Sequence, residues 1–217
     1  MREYKTMTTL ATESLKEGII DGSFEPEEML VPQNLEKRFG YGKMAFREAI
    51  RELVGLGLVY SVANKGNFVT SPPSIGELQE IFKMRCFIEK DAAIQGTANI
   101  SDEDIKKMEY LHKEMKKKSI APRDFFFLNT DFHMTLYRAS GWSYICHLIN
   151  QLIEYVFMFR FRSGTQRRES QDVFTREHAL ILEAVKSGKA KEVGDLIVKN
   201  IESGFKDIQK KLEGENE

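Results

Sequence analysis

Apolar residues recur at helical spacing along almost the whole chain, and the pattern breaks once, between Leu58 and Thr70. Met7, Ala11, Leu15 and Ile19 return every fourth residue, which predicts an amphipathic helix from Thr6 to Asp21. Gly22 stops it and Pro26 marks a turn. Leu35 and Phe39 share one side of a short helix over Pro32 to Phe39, and Gly40-Tyr41-Gly42 follow as a tight turn. Phe46, Ala49, Ile50 and Leu53 then define a helix from Lys43 to about Leu56, closed by Gly57. Leu58 to Val62 and Asn67 to Thr70 read as two short strands around Ala63-Asn64-Lys65-Gly66. Helix, turn, helix and hairpin in this order predict a winged helix-turn-helix.

Beyond it, Ser71-Pro72-Pro73-Ser74 reads as a semi-rigid connection, because two prolines fix the backbone and remove donors. Everything after that reads as helix. Leu78, Ile81, Phe82, Arg85, Ile88 and Ala92 give one from Ser74 to Ala98. Ser101 with Asp104 is a capping signal for a second, which runs to Lys118, and Pro122 opens a third that ends near Ser140-Gly141. A fourth spans Trp142 to Arg162, a fifth Glu169 to Lys186 and a sixth Lys189 to Leu212. The predicted fold is mostly α: an N-terminal winged helix-turn-helix over residues 1–71, a linker at 72–75 and a C-terminal six-helix antiparallel bundle over 76–217.

Composition narrows the class without naming a function. With 41% hydrophobic and 30% charged residues, the chain can bury a core and is not globally disordered. Formal net charge is −1, and residues 1–71 hold nine Lys and Arg against ten Asp and Glu. A nucleic-acid argument must therefore rest on where the cations sit. Cys86 and Cys146 give no disulfide framework, the first residues carry no apolar signal core, and no apolar run is long enough to span a bilayer. These features predict a cytoplasmic protein that is not attached to a membrane.

Lys43, Arg47 and Arg51 recur every four residues and stack three cations along one helix face, drifting about 40° per step. Such a stripe can meet phosphates or the edge of guanine. The bland alternative is a solvated face balanced by Glu48 and Glu52. The runs Gly22-Ser23-Phe24-Glu25-Pro26, Leu35-Glu36-Lys37-Arg38-Phe39-Gly40, Phe46-Arg47-Glu48-Ala49-Ile50, Gly57-Leu58-Val59 and Lys65-Gly66-Asn67-Phe68-Val69 together resemble a GntR-family repressor. The resemblance assigns DNA contact to Lys43 and Arg47 on the helix and to Gly66 at the wing tip, and the same surface adds Met44, Arg51 and Lys65. The family usually has Ser, Arg, Thr and Pro where this chain has Gly42, Lys43, Met44 and Ala45, so an altered operator is expected.

The second half resembles the FCD effector domain of the FadR-type branch, through Met84-Arg85 with Glu89, Asp131-Phe132-His133, Ala139-Ser140-Gly141, and Glu177-His178 with Ile181, Ala184 and Gly188. In that family four positions, typically Asp, His, His and His, bind a divalent metal inside the bundle. Here they are Asn129, His133, His178 and Asn200. The loss of a carboxylate and an imidazole leaves three readings open: a weakly held Zn or Ni ion, a polar pocket that bonds an organic effector directly, or His133 and His178 as satisfied core histidines with no ligand. Arg85 is a candidate anion clamp for a carboxylate, although a simple i,i+4 pair with Glu89 competes. Arg160 and Arg162 are secondary candidates.

The expectation is a homodimeric, non-enzymatic transcriptional regulator. It would bind a pseudo-palindromic double-stranded DNA operator as a repressor, under control of a small organic acid. The rival is a metal-dependent all-α enzyme built on His133 and His178, for which the sequence places no general base, since Glu177 adjoins His178 and points elsewhere on a helix.

Overall fold

Thr6 accepts a hydrogen bond from the backbone of Thr9 and starts α1 (Met7–Ile20). The computed structural model describes residues 5–162 and 168–214. In order, α1 is followed by α2 (Pro32–Phe39), α3 (Lys43–Gly55), β1 (Val59–Val62) and β2 (Gly66–Val69). The six helices α4 (Ile75–Asn99), α5 (Asp102–Met115), α6 (Pro122–Arg138), α7 (Ser143–Arg162), α8 (Arg168–Lys186) and α9 (Ala190–Gly214) complete it. The winged helix-turn-helix followed by a helical bundle is thus the observed fold.

Two units divide the chain. The first runs to Pro73 and also takes in α7 from Glu154 onward; the second runs from Ser74 to Ile153 and includes α8 and α9. A cut at residues 72–75 alone does not describe this, because α7 contributes to both.

In the first unit, Leu15, Ile19, Phe46, Leu53 and Leu58 are fully buried, and Met158 of α7 joins them. The α1 stripe begins at Ala11. Met7, expected on it, is 62% exposed because it opens the helix ahead of the core. Gly40 has φ 78°, the left-handed conformation that lets α2 stop and the chain turn into α3 without a Cβ penalty. β1 and β2 pair antiparallel with Val59 opposite Val69. A strand-like contact missed by the sequence pattern flanks them. Met29 bridges Phe68, Leu30 N–H donates to Asn67 (2.8 Å) and Val69 N–H donates to Glu28 (3.0 Å). A bridge this short has no alternating run to announce it.

In the second unit, α4 packs most extensively on α9, with further pairings of α5 on α6, α8 on α9 and α4 on α6. Ser74 and Glu77 form a full capping box at the start of α4, and Ser101 caps α5 through the backbone of Asp104 (3.1 Å). Gly96 lets α4 approach α6: a Cβ there would stand 2.1 Å from the Leu136 carbonyl oxygen. No described helix is long and apolar enough to cross a membrane.

Candidate nucleic-acid interface and buried polar site

The core side of α3 buries Ala45, Phe46, Ala49, Ile50 and Leu53, which turns Met44, Arg47 and Arg51 outward. Met44 is 63% exposed, Lys43 is half-buried and Lys65 is exposed just ahead of Gly66, where β2 begins. The structure therefore brings the sequence-predicted cations to the surface of one unit. Two details refine the picture. Arg51 is already paired with Glu48 (2.9 Å) in an exposed i,i+3 contact, whereas Arg47 meets only the Met44 sulfur, at 3.7 Å, among the contacts described for it. Such exposed pairs contribute little to stability.

The second detail concerns Gly42, which offers α3 no side-chain cap. Glu36 of α2 supplies one instead, its carboxylate accepting from the backbone N–H of Lys43 (3.1 Å). An anion at a helix N-terminus is stabilising. Glu36 is a contributor that the α3 pattern by itself does not reveal, since the cap is borrowed from the preceding helix.

The bundle unit carries a different kind of site, built from buried polar groups. Glu89 is 1% exposed and receives Arg85, one turn earlier, through Nε and a terminal nitrogen. Tyr137 donates to the same carboxylate (2.7 Å). His133 Nδ1 lies 3.4 Å from the Tyr137 hydroxyl, and His133 Nε2 lies 3.0 Å from His178 Nε2. Arg85, a candidate both for a clamp and for a pair with Glu89, makes that pair. The i,i+4 pair that competed with the clamp is present and buried, so each partner answers the other's desolvation cost.

Asn200 donates through its amide nitrogen to Glu177 (2.7 Å), which also receives Ser203 (2.7 Å). Asn129 is half-buried one turn before His133. The side chain of Arg162 lies outside the described residues.

Burial, reinforced by the Arg85 charge, pushes the His133 imidazole down to about 3. Burial also holds His178 well below its usual range, with the neighbouring His133 and His112 adding to it. Both rings are therefore neutral near pH 7. Neutral imidazoles are the metal-binding form, but the rest of the donor set falls short. Among the described residues no group of three or more His, Cys, Asp and Glu could hold an ion. Glu89 is occupied by Arg85 and Tyr137, and Glu177 by Asn200 and Ser203. Two imidazoles with neutral amides at the other two positions do not fit a tightly held divalent ion.

The exposed cation-bearing α3, the hairpin beside it and the all-α second unit agree with comparison to known proteins. The profile of bacterial regulatory proteins of the gntR family matches residues 9–69, and that of the FCD domain matches residues 80–203. The chain belongs to the FadR-type branch of the GntR family.

It is 27% identical over 178 residues to the uncharacterized HTH-type transcriptional regulator YdhC of Bacillus subtilis, covering 79% of this chain and 77% of that protein. It is 28% identical over 153 residues to the HTH-type transcriptional repressor GlaR of Escherichia coli, covering 68% and 69%. Among solved structures, Escherichia coli McbR/YncC superposes with a TM-score of 0.74 at 18% identity, over 96% of this chain and 100% of that one, a likeness of fold. The family, with the relatives YdhC and GlaR named as an HTH-type transcriptional regulator and repressor, is one of regulators rather than enzymes, and that removes the rival reading of a metal-dependent enzyme built on His133 and His178.

Proposed function

We propose that this GntR-family regulator binds a pseudo-palindromic operator in double-stranded DNA as a homodimer and acts in the cytoplasm as a repressor released by a small-molecule effector, an organic acid being the family expectation. The observation that carries the DNA reading is the outward face of α3, where Lys43, Met44 and Arg47 lie free of the core beside Lys65 on the wing. A planar guanidinium such as that of Arg47 suits the O6/N7 edge of guanine, and Met44 suits a thymine methyl. Two such helices in a dimer would read half-sites about 34–36 Å apart. The GlaR relative is itself described as a repressor, which supports that sign.

For the sensor role, support comes from the buried polar chain of Glu89, Tyr137, His133 and His178 inside the bundle. An effector there can act only by binding the DNA-competent and incompetent arrangements with different affinity. The test is selection from random duplexes followed by gel shift. An enriched palindrome, bound by the full chain and lost with Arg47→Ala, is the expected result. No enriched sequence at low salt would overturn the proposal. Light scattering of the same preparation measures the dimer.

A further inference from the structure

We infer that this chain's bundle reads its ligand through hydrogen bonds rather than through a metal ion, and that the two asparagines are what set it apart. The inference deepens the sensor reading above and rests on it for its biological meaning. Its physical content concerns one cluster.

His133 and His178 are 4% and 0% exposed, and their Nε2 atoms face each other at 3.0 Å as a hydrogen-bonded pair. A tightly held zinc needs four donors, in practice imidazole, thiolate or carboxylate. The two remaining positions offer amides, and the Asn200 amide is already oriented, its nitrogen bonded to Glu177 at 2.7 Å. An amide oxygen is neutral and cannot offset a dication as a carboxylate does. The carboxylates within reach are spent on Arg85, Tyr137, Asn200 and Ser203.

Of the four buried polar side-chain atoms that lack a protein partner among the described residues, the two in the bundle unit are His178 Nδ1 and Thr130 Oγ1, the latter one turn before His133 on α6. Native interiors leave few such atoms, and a ligand is one way to satisfy them. The ligand chemistry that fits is a small molecule with hydroxyl, carbonyl or carboxyl groups. It would meet neutral imidazole and hydroxyl partners, with Arg85 already neutralised by Glu89.

The experiment uses the full chain, stripped with a chelator, and Zn2+ or Ni2+ alone as the probe. Elemental analysis gives stoichiometry after dialysis, and titration calorimetry gives affinity. The wild type is expected to keep no stoichiometric metal and to bind either ion no tighter than about 10 µM. The variant Asn129→Asp/Asn200→His, which completes the four-ligand set, is expected to hold one ion per chain at least about 100-fold more tightly. If the double variant does not fold, each single variant carries the test with a gain of about 10-fold. A wild-type chain that retains one ion, and loses it in His133→Gln, overturns the inference. Folded variants that gain nothing overturn it equally. Operator binding is measured separately, so a failure here is distinguishable from a failure of the regulator reading.

Discussion

The two units use burial in opposite ways. In the winged helix unit the buried residues of α3 are apolar, and the chemistry is what that core turns outward: Met44, Arg47 and Arg51. In the bundle unit the chemistry is itself inside, where Glu89, His133, His178 and Asn200 are all at most 7% exposed. An exposed cation can be replaced with little effect on folding, so its loss reads out as binding. A buried polar group is part of the fold, so its loss reads out first as stability. All four histidines and the one tryptophan, Trp142, belong to the bundle unit. Trp142 fluorescence therefore reports on that unit.

The largest effect should come from Glu89→Ala. It strands Arg85 and Tyr137 inside the bundle, and loss of one partner of a buried pair costs about 3–5 kcal/mol. Urea unfolding followed by Trp142 fluorescence measures it, and an unchanged midpoint would erase the contrast between the units.

Arg47→Ala should leave that midpoint in place and weaken operator binding by about 1–3 kcal/mol, read by fluorescence anisotropy. Arg51→Ala is the control. Its guanidinium shares itself with Glu48, so a smaller loss is expected; equal losses would mean that the Glu48 pair does not persist in the complex.

A pH series sharpens the comparison next. His133 is held at about 3 when folded, against about 6.5 in the unfolded chain, so unfolding takes up a proton as the solution is acidified. The bundle's stability is complete above about pH 6.5. It falls as pH drops toward 3, by up to about 1.4 kcal/mol per unit for each such histidine. A flat urea midpoint between pH 7.5 and 5.5 would contradict the buried neutral pair.

The smallest effect is expected from Gly42→Ser, which gives α3 its own cap in place of the one borrowed from Glu36. A few tenths of a kcal/mol is the expected gain. A larger gain would mean that Glu36 caps poorly.

Most of the fold is legible along the chain because local periodicity marks a helix wherever one face is buried. The interval over Pro32 to Phe39 coincides with α2, and the start of α3 falls at Lys43. The bridge at Met29 and the addition of Met158 to the first unit's core are not legible, because each joins residues far apart in sequence without a pattern of its own. The candidate sites divide in the same way. Periodicity shows that Lys43, Arg47 and Arg51 share a face, but not that Arg51 is occupied by Glu48 or that Glu36 caps Lys43.

The sequence by itself determined the order of elements and the cations on α3, since these depend only on residue type and helical spacing, while the asparagines Asn129 and Asn200 stand out only through the resemblance to the FCD family. Only the tertiary structure decided what those residues are free to do. Arg85 is spent on Glu89, His133 Nε2 faces His178 Nε2, and the Asn200 amide is turned to Glu177. The physical reason is that a buried polar group must find a partner. Which partner it finds depends on the neighbouring helix, and spacing along one helix carries no information about that.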